Sequence, residues 1–215
     1  SLGLGDKGKK ACMRKNMLEE MPTLNMEPLA GDYFQVLSDL KFQNHKRNIA
    51  FFLGSNIGNF RRDLAIDFLS SIQRNLKTGD FLLIGFDLKK DPKRILSAYN
   101  DSKGVTKAFN LNLLNRINRE LGGNFQMDAF DHNPIYDPMT GECRSYLIAK
   151  SPQQVYLSTL DEAFEFKAWE PIYMEVSKKY DLDEIDDLAK ETGFRVKKNL
   201  FDSDDLFTDS IWEVV

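Results

Sequence analysis

Two apolar runs joined by one amphipathic stretch constrain this chain more than any other feature. Residues 48–53, continuously apolar after Asn48, form a run closed by Gly54, the pattern of a strand buried on both faces. A turn follows from Gly54 through Ser55, Asn56, Ile57, Gly58 and Asn59. Beyond it Leu64, Phe68, Leu69, Ile72 and Leu76 recur at helical spacing, and Gly79 and Asp80 close the helix. Residues 81–86 are a second apolar run ending on Asp87. Strand, turn, helix and strand in about forty residues make a βαβ unit, so a parallel sheet with helices on its faces is expected.

The remaining chain divides around that unit. Gly3, Gly5 and Gly8 form a glycine-rich turn leading into a helical pattern over residues 10–21, which Pro22 ends. Residues 26–29 read as extended, and Gly31, Asp32 and Tyr33 lead into a short helix reaching residue 40. After Asp87, Asp91 and Pro92 start a helix through Tyr99, and residues 105–121 form a longer one stopped by Gly122 and Gly123. Residues 132–169 alternate as antiparallel strands do, clearest at 144–149 and 154–157. A helix over 182–192 and strands at 195–199 and 211–215 complete the pattern. The fold class is therefore α/β: a mostly parallel core over 1–88 and 178–215, with an inserted α+β lobe over 89–177.

Composition removes several function classes. The 29 basic residues are matched by 33 acidic ones, a net charge of −4, which argues against nucleic-acid binding through bulk charge. No apolar run reaches the roughly 18 residues of a membrane-spanning helix. Cys12 and Cys143 with His45 and His132 are too few for a disulfide scaffold or a Cys/His zinc centre, so no metal is expected. No signal peptide is visible, and a monomer in the reducing cytoplasm is the expectation.

Four groups of residues could carry chemistry, each with a plainer alternative. Gly3 and Gly5 with Lys9 suit an anionic ligand group near a helix start, or are an ordinary turn with a solvated lysine. Asp32 and Tyr33 could hold and stack a purine, or cap and pack a helix. Glu175 and Ser177 share one face of a strand and could grip a polar ring such as imidazole or imidazolium, or be an exposed strand face. His132 reads as a local packing or capping residue, and Trp169 and Trp212 as core.

Collinear segments tie these groups together. The run from Phe51 to Asn59 resembles the histidine-specific methyltransferase family. The likeness continues through Gly79 and Asp80 to Asp87, then Lys90, Asp91, Ala98, Tyr99, Gly104, Val105 and Thr106. It extends over Phe109, Asn110, residues 118–121, residues 128–130 and residues 175–178. The resemblance implies a Rossmann-like class I methyltransferase core that uses S-adenosyl-L-methionine. It also implies N-methylation of the α-amino group of L-histidine or a related small amino acid, as in ergothioneine synthesis. On this basis Gly3, Gly5 and Lys9 would meet the methionine moiety, Asp32 and Tyr33 the adenine, and Gly54 the junction of cofactor and substrate. Asn59 and Tyr99 would bind the amino-acid backbone, with Tyr99 also a candidate proton acceptor, and Glu175 and Ser177 would bind the imidazole.

Two departures qualify the expectation. Ser145 stands where the family's histidine enzyme has a methionine walling the substrate side chain, which leaves room for a different amino acid. The stretch before Gly31 has no room for the family's second strand, whose acid holds the cofactor ribose. A methyltransferase of another small amine and a non-catalytic binding module are the competing readings.

Overall fold

The structure, a computed structural model, describes residues 46–215 together with 19–23, 25, 29, 31 and 36. Gly3, Gly5, Lys9, Asp32 and Tyr33 lie outside the described residues, as do most of the elements expected before residue 46.

Strand β1 (Ile49–Phe52), helix α1 (Arg62–Asn75) and strand β2 (Phe81–Asp87) realise the βαβ unit. β1 lies parallel to β2, from Ile49 opposite Phe81 to Phe52 opposite Ile84. Near the end of the chain come α4 (Leu182–Glu191), β8 (Phe194–Phe201) and β9 (Phe207–Val214). The sheet order is β1-β2-β9-β8, with β9 antiparallel to both neighbours. Among the described residues three strands thus point one way and β9 is reversed, a Rossmann-like, mostly parallel arrangement.

Alternation decides which face is buried. Leu82, Ile84 and Phe86 of β2 share a face with Trp212 and Val214 of β9. Phe68, Leu69 and Ile72 from α1 and Ile185, Leu188 and Ala189 from α4 cover that face. Full burial of each large apolar side chain contributes about 1.5–3 kcal/mol. The indole of Trp212 is satisfied inside this core, its Nε1–H donating to Ser210 Oγ at 2.8 Å. A reciprocal capping box holds the start of α4. Asp181 accepts from the Glu184 amide at 2.9 Å, and Glu184 accepts from the Asp181 amide at 3.0 Å.

β1 departs from the expectation of burial on both faces. Ile49 and Phe51 are 53% and 63% exposed, while Phe52 is buried. Among the described residues β1 is an edge strand with a partner on one side, and only its face toward α1 is covered.

Between β2 and α4 stand α2 (Pro92–Tyr99), α3 (Val105–Leu121), β3 (Phe130–Asp137) and β4 (Glu142–Ala149). The hairpin β5 (Gln153–Leu157) with β6 (Glu162–Phe166) and then β7 (Pro171–Lys178) follow. β3, β4 and β7 form an antiparallel sheet in that order. A second apolar cluster, including Leu114, Phe130, Leu147 and Val155, packs α3 against it. Trp212 is core as expected, but Trp169 is not. It sits 71% exposed at φ +66° in the turn before β7, where its amide donates to the Ala149 carbonyl at 2.7 Å. That backbone bond, rather than burial of the indole, holds the turn.

Candidate active site

The carboxyl ends of β1 and β2 are where a sheet of this kind offers open backbone to a ligand. Gly54 and Ser55 leave β1 in two successive left-handed conformations, φ +79° and +58°. This turns the chain sharply into the short 3-10 segment Asn56–Asn59. Ser55 Oγ accepts from the Asp87 amide at 3.0 Å, which ties the two strand ends together.

Asp87 then joins a buried cation. Lys179, one residue beyond β7 and 3% exposed, donates to Asp87 Oδ2 at 2.8 Å, to the Tyr99 hydroxyl at 2.8 Å and to Ser177 Oγ at 2.9 Å. Its ammonium also lies 5.0 Å from the centre of the Tyr99 ring. Burial pushes the Lys179 ammonium toward losing its proton. The Tyr99 and Asp87 oxygens overcome this and hold its pKa above the ordinary lysine value. Lys179 is therefore charged, and it joins β2, α2 and β7 at one point.

The antiparallel sheet supplies a second group. Ser145 on β4 pairs with Glu175 on β7, and Cys143 with Ser177, so these four side chains share a face. A bulge follows immediately, between Ser145 and Tyr146 on the β4 side. Ser145 is 1% exposed, and its hydroxyl has no hydrogen-bond partner among the described residues; the same is true of His132 Nε2 on β3. A buried polar atom left this way costs about 1–3 kcal/mol, so its retention points to a ligand-facing position. Burial holds the His132 pKa below the ordinary imidazole value, against the pull of Glu175 and Asp131. Glu175 also lines a cavity of about 230 Å³ between α3 and β7, with Asn110 and Arg116. Burial pushes the Cys143 thiol up to about 11, which leaves it protonated at neutral pH.

The structure thus brings Tyr99 and Ser177 together, and places Ser145 beside Glu175. Gly54 stands at the end of β1, and Asn59 is exposed at the end of the 3-10 segment. Sequence reasoning missed Lys179, which follows another lysine and has no periodic signature, and it read His132 only as a local packing or capping residue. A separate cleft of about 780 Å³ lies elsewhere, lined by Arg61, Arg62 and Arg144. Each of those arginines already faces a carboxylate, on Asp63, Glu191 and Glu142 respectively, so the cleft offers no spare charge to an anion. No cluster of three metal-binding side chains occurs among the described residues.

A family model described as histidine-specific methyltransferase, SAM-dependent, matches residues 11–214. Histidine N-alpha-methyltransferase of Mycolicibacterium smegmatis is 36% identical over 176 residues, covering 82% of this chain and 54% of that protein. The protein of the same name from Mycobacterium tuberculosis is 35% identical, covering 75% of this chain and 50% of its own length. Ergothioneine biosynthesis protein 1 of Schizosaccharomyces pombe is 31% identical, covering 75% of this chain and 21% of that protein. The chain spans about half the length of the two bacterial relatives. Among solved structures, a S-adenosylmethionine-dependent methyltransferase from Clostridium acetobutylicum is 9% identical, with a TM-score of 0.47 over 97% of this chain and 72% of that one. The match over nearly the whole chain, together with the identity to the bacterial proteins, shows that the chain belongs to the histidine-specific, S-adenosylmethionine-dependent methyltransferase family.

Proposed function

We propose that the protein containing this chain is an S-adenosyl-L-methionine-dependent N-methyltransferase acting on the α-amino group of L-histidine or a related small amino acid. The observation that carries this is the convergence of Tyr99, Ser177 and Asp87 on Lys179 at the strand ends, with Glu175 on the same sheet face as Ser177. Residues 1–88 and 178–215 then serve as the cofactor-binding core, and 89–177 as the substrate lobe. In the same reading the protein is a cytoplasmic monomer. No helix among the described residues is long and apolar enough to cross a membrane.

Gly54 fits a position next to the cofactor, because a residue without a side chain at φ +79° leaves the backbone open at the carboxyl end of β1. Gly3, Gly5, Lys9, Asp32 and Tyr33 would hold the rest of that molecule. When bound, S-adenosyl-L-methionine supplies an electrophilic methyl group. The protein's own part is positioning. Asn59 and Tyr99 hold the amino-acid backbone so that the amine has one direction of approach, and Glu175 with Ser177 fixes the ring.

The buried hydroxyl of Ser145 favours a second reading within the family, in which the side-chain pocket takes an amino acid more polar or larger than histidine. Incubating the protein with S-adenosyl-L-methionine and each amino acid in turn, and following mass gain, tests both readings. Methylated histidine supports the first, and methylation of another amino acid in preference supports the second. S-adenosylhomocysteine binding without methyl transfer to any amine would leave a binding module.

A further inference from the structure

An ammonium carries three N–H donors and accepts nothing. In Lys179 all three are assigned, to Asp87 Oδ2, the Tyr99 hydroxyl and Ser177 Oγ, at 2.8, 2.8 and 2.9 Å. Both hydroxyl oxygens are therefore acceptors toward Lys179, and the hydrogen each carries must point away from it. Among the described residues neither hydroxyl donates to a protein acceptor, so both hydrogens are free for a ligand.

We infer that Lys179 is a positioning residue that sets the polarity of the substrate site by fixing Ser177 and Tyr99 as hydrogen-bond donors. This rests on the amino-acid substrate proposed above. Glu175 can only accept while ionised, and Ser177 is held as a donor, so a ring that satisfies both offers one N–H and one bare nitrogen. That ring is a neutral imidazole. An imidazolium has two N–H groups and would set one of them against the Ser177 hydrogen. Tyr99, with its oxygen occupied by Lys179, presents its hydrogen to the substrate carboxylate and is a poor proton acceptor.

The ionisable groups around the site come from several elements. Lys90 shares Asp87 with Lys179, and both lysines face it as cations. Cys143 on β4 lies at about 11, and burial raises the Tyr136 phenol on β3 above its ordinary value. Glu175 lies on β7, and His132 on β3 titrates below the ordinary imidazole value. Among the described residues His132 is the one histidine, so the experiment must separate its titration from that of a substrate imidazole.

The test is titration calorimetry of the full chain between about pH 5 and 8. The ligands are L-histidine and 1,2,4-triazolylalanine, whose ring stays uncharged across that range. Histidine affinity should fall about tenfold per pH unit below the substrate's own pKa of about 6.5, while triazolylalanine affinity stays flat. At the acid end, histidine binding should release a proton, read from titrations in buffers of different ionisation enthalpy. Lys179→Met should weaken histidine binding about tenfold at neutral pH and flatten its pH slope, since Ser177 is then free to accept. An unchanged slope and affinity in that variant overturns the inference. So do equal histidine affinities at both pH extremes with no proton release in the unsubstituted chain, a result that stands even if Lys179→Met does not fold. A folded chain that binds histidine at no pH overturns the histidine reading itself.

Discussion

Gly58 meets the end of β7 so closely that a Cβ on it would lie 2.6 Å from the carbonyl oxygen of Lys178. The turn after β1 is thereby pressed onto the backbone that leads to Lys179, and the contact is with main chain rather than a movable side-chain tip. Gly58→Ala should cost about 1–3 kcal/mol in urea unfolding, because one of the two backbones must shift. The same shift should weaken histidine binding, whereas Gly79→Ala, strained by its φ of +84° but with nothing within 4 Å of the added Cβ, should lower stability and leave binding unchanged.

Ser145 leaves a buried hydroxyl without a partner among the described residues. Replacing it with alanine removes the unsatisfied group, so the ligand-free chain should gain about 1 kcal/mol of stability. If the hydroxyl faces substrate, affinity should fall in the same variant. Paired unfolding and binding measurements check whether the two effects have opposite sign.

Glu175→Ala should lower kcat/KM with histidine about tenfold to a hundredfold, mainly through KM, because a charge-assisted bond to the ring is lost. Unchanged steady-state kinetics in this variant would remove Glu175 from the substrate site.

Asp101 accepts from the amides of Val105 and Thr106, both at 2.9 Å, at the start of α3. These backbone bonds hold its carboxyl down to about 2, against an ordinary value of 3.8. A depressed carboxylate contributes stability that is present above the unfolded pKa and lost as pH falls through the folded one. Asp101→Ala should therefore lower the Tm at neutral pH. The gap from the unsubstituted chain should narrow as pH drops from about 4 toward 2, as thermal melts across that range would record.

Cys143 is 1% exposed, with burial pushing its thiol to about 11. It should resist iodoacetamide at neutral pH in the folded chain and react once urea unfolds it. Peptide mass mapping of the Cys143 segment distinguishes the two states.

Much of the architecture is legible locally. The 3.6-residue recurrence from Leu64 to Leu76 and the apolar run into Asp87 define α1 and β2 without reference to anything distant. The period of two in β7 is enough to place Glu175 and Ser177 on one face. Local pattern is silent about coverage, however. The apolar run of β1 suggested two buried faces, while Ile49 and Phe51 are exposed, because burial depends on which neighbours the sheet acquires. Trp169 is the same case: its hydrophobicity suggested core, and a turn bonded to Ala149 leaves it outside.

By itself the sequence determined the βαβ unit, the glycine turn after β1, the antiparallel stretch and the family resemblance, since all of these rest on short-range periodicity and collinear motifs. Only the tertiary structure decided that Lys179 is a buried hub. Its three acceptors come from positions 87, 99 and 177, and they converge only when β7 leaves its own sheet beside the end of β2. In the sequence a lysine after a lysine is a solvated charge. In the fold it is a fully used donor, because burial leaves an ammonium no other way to be satisfied.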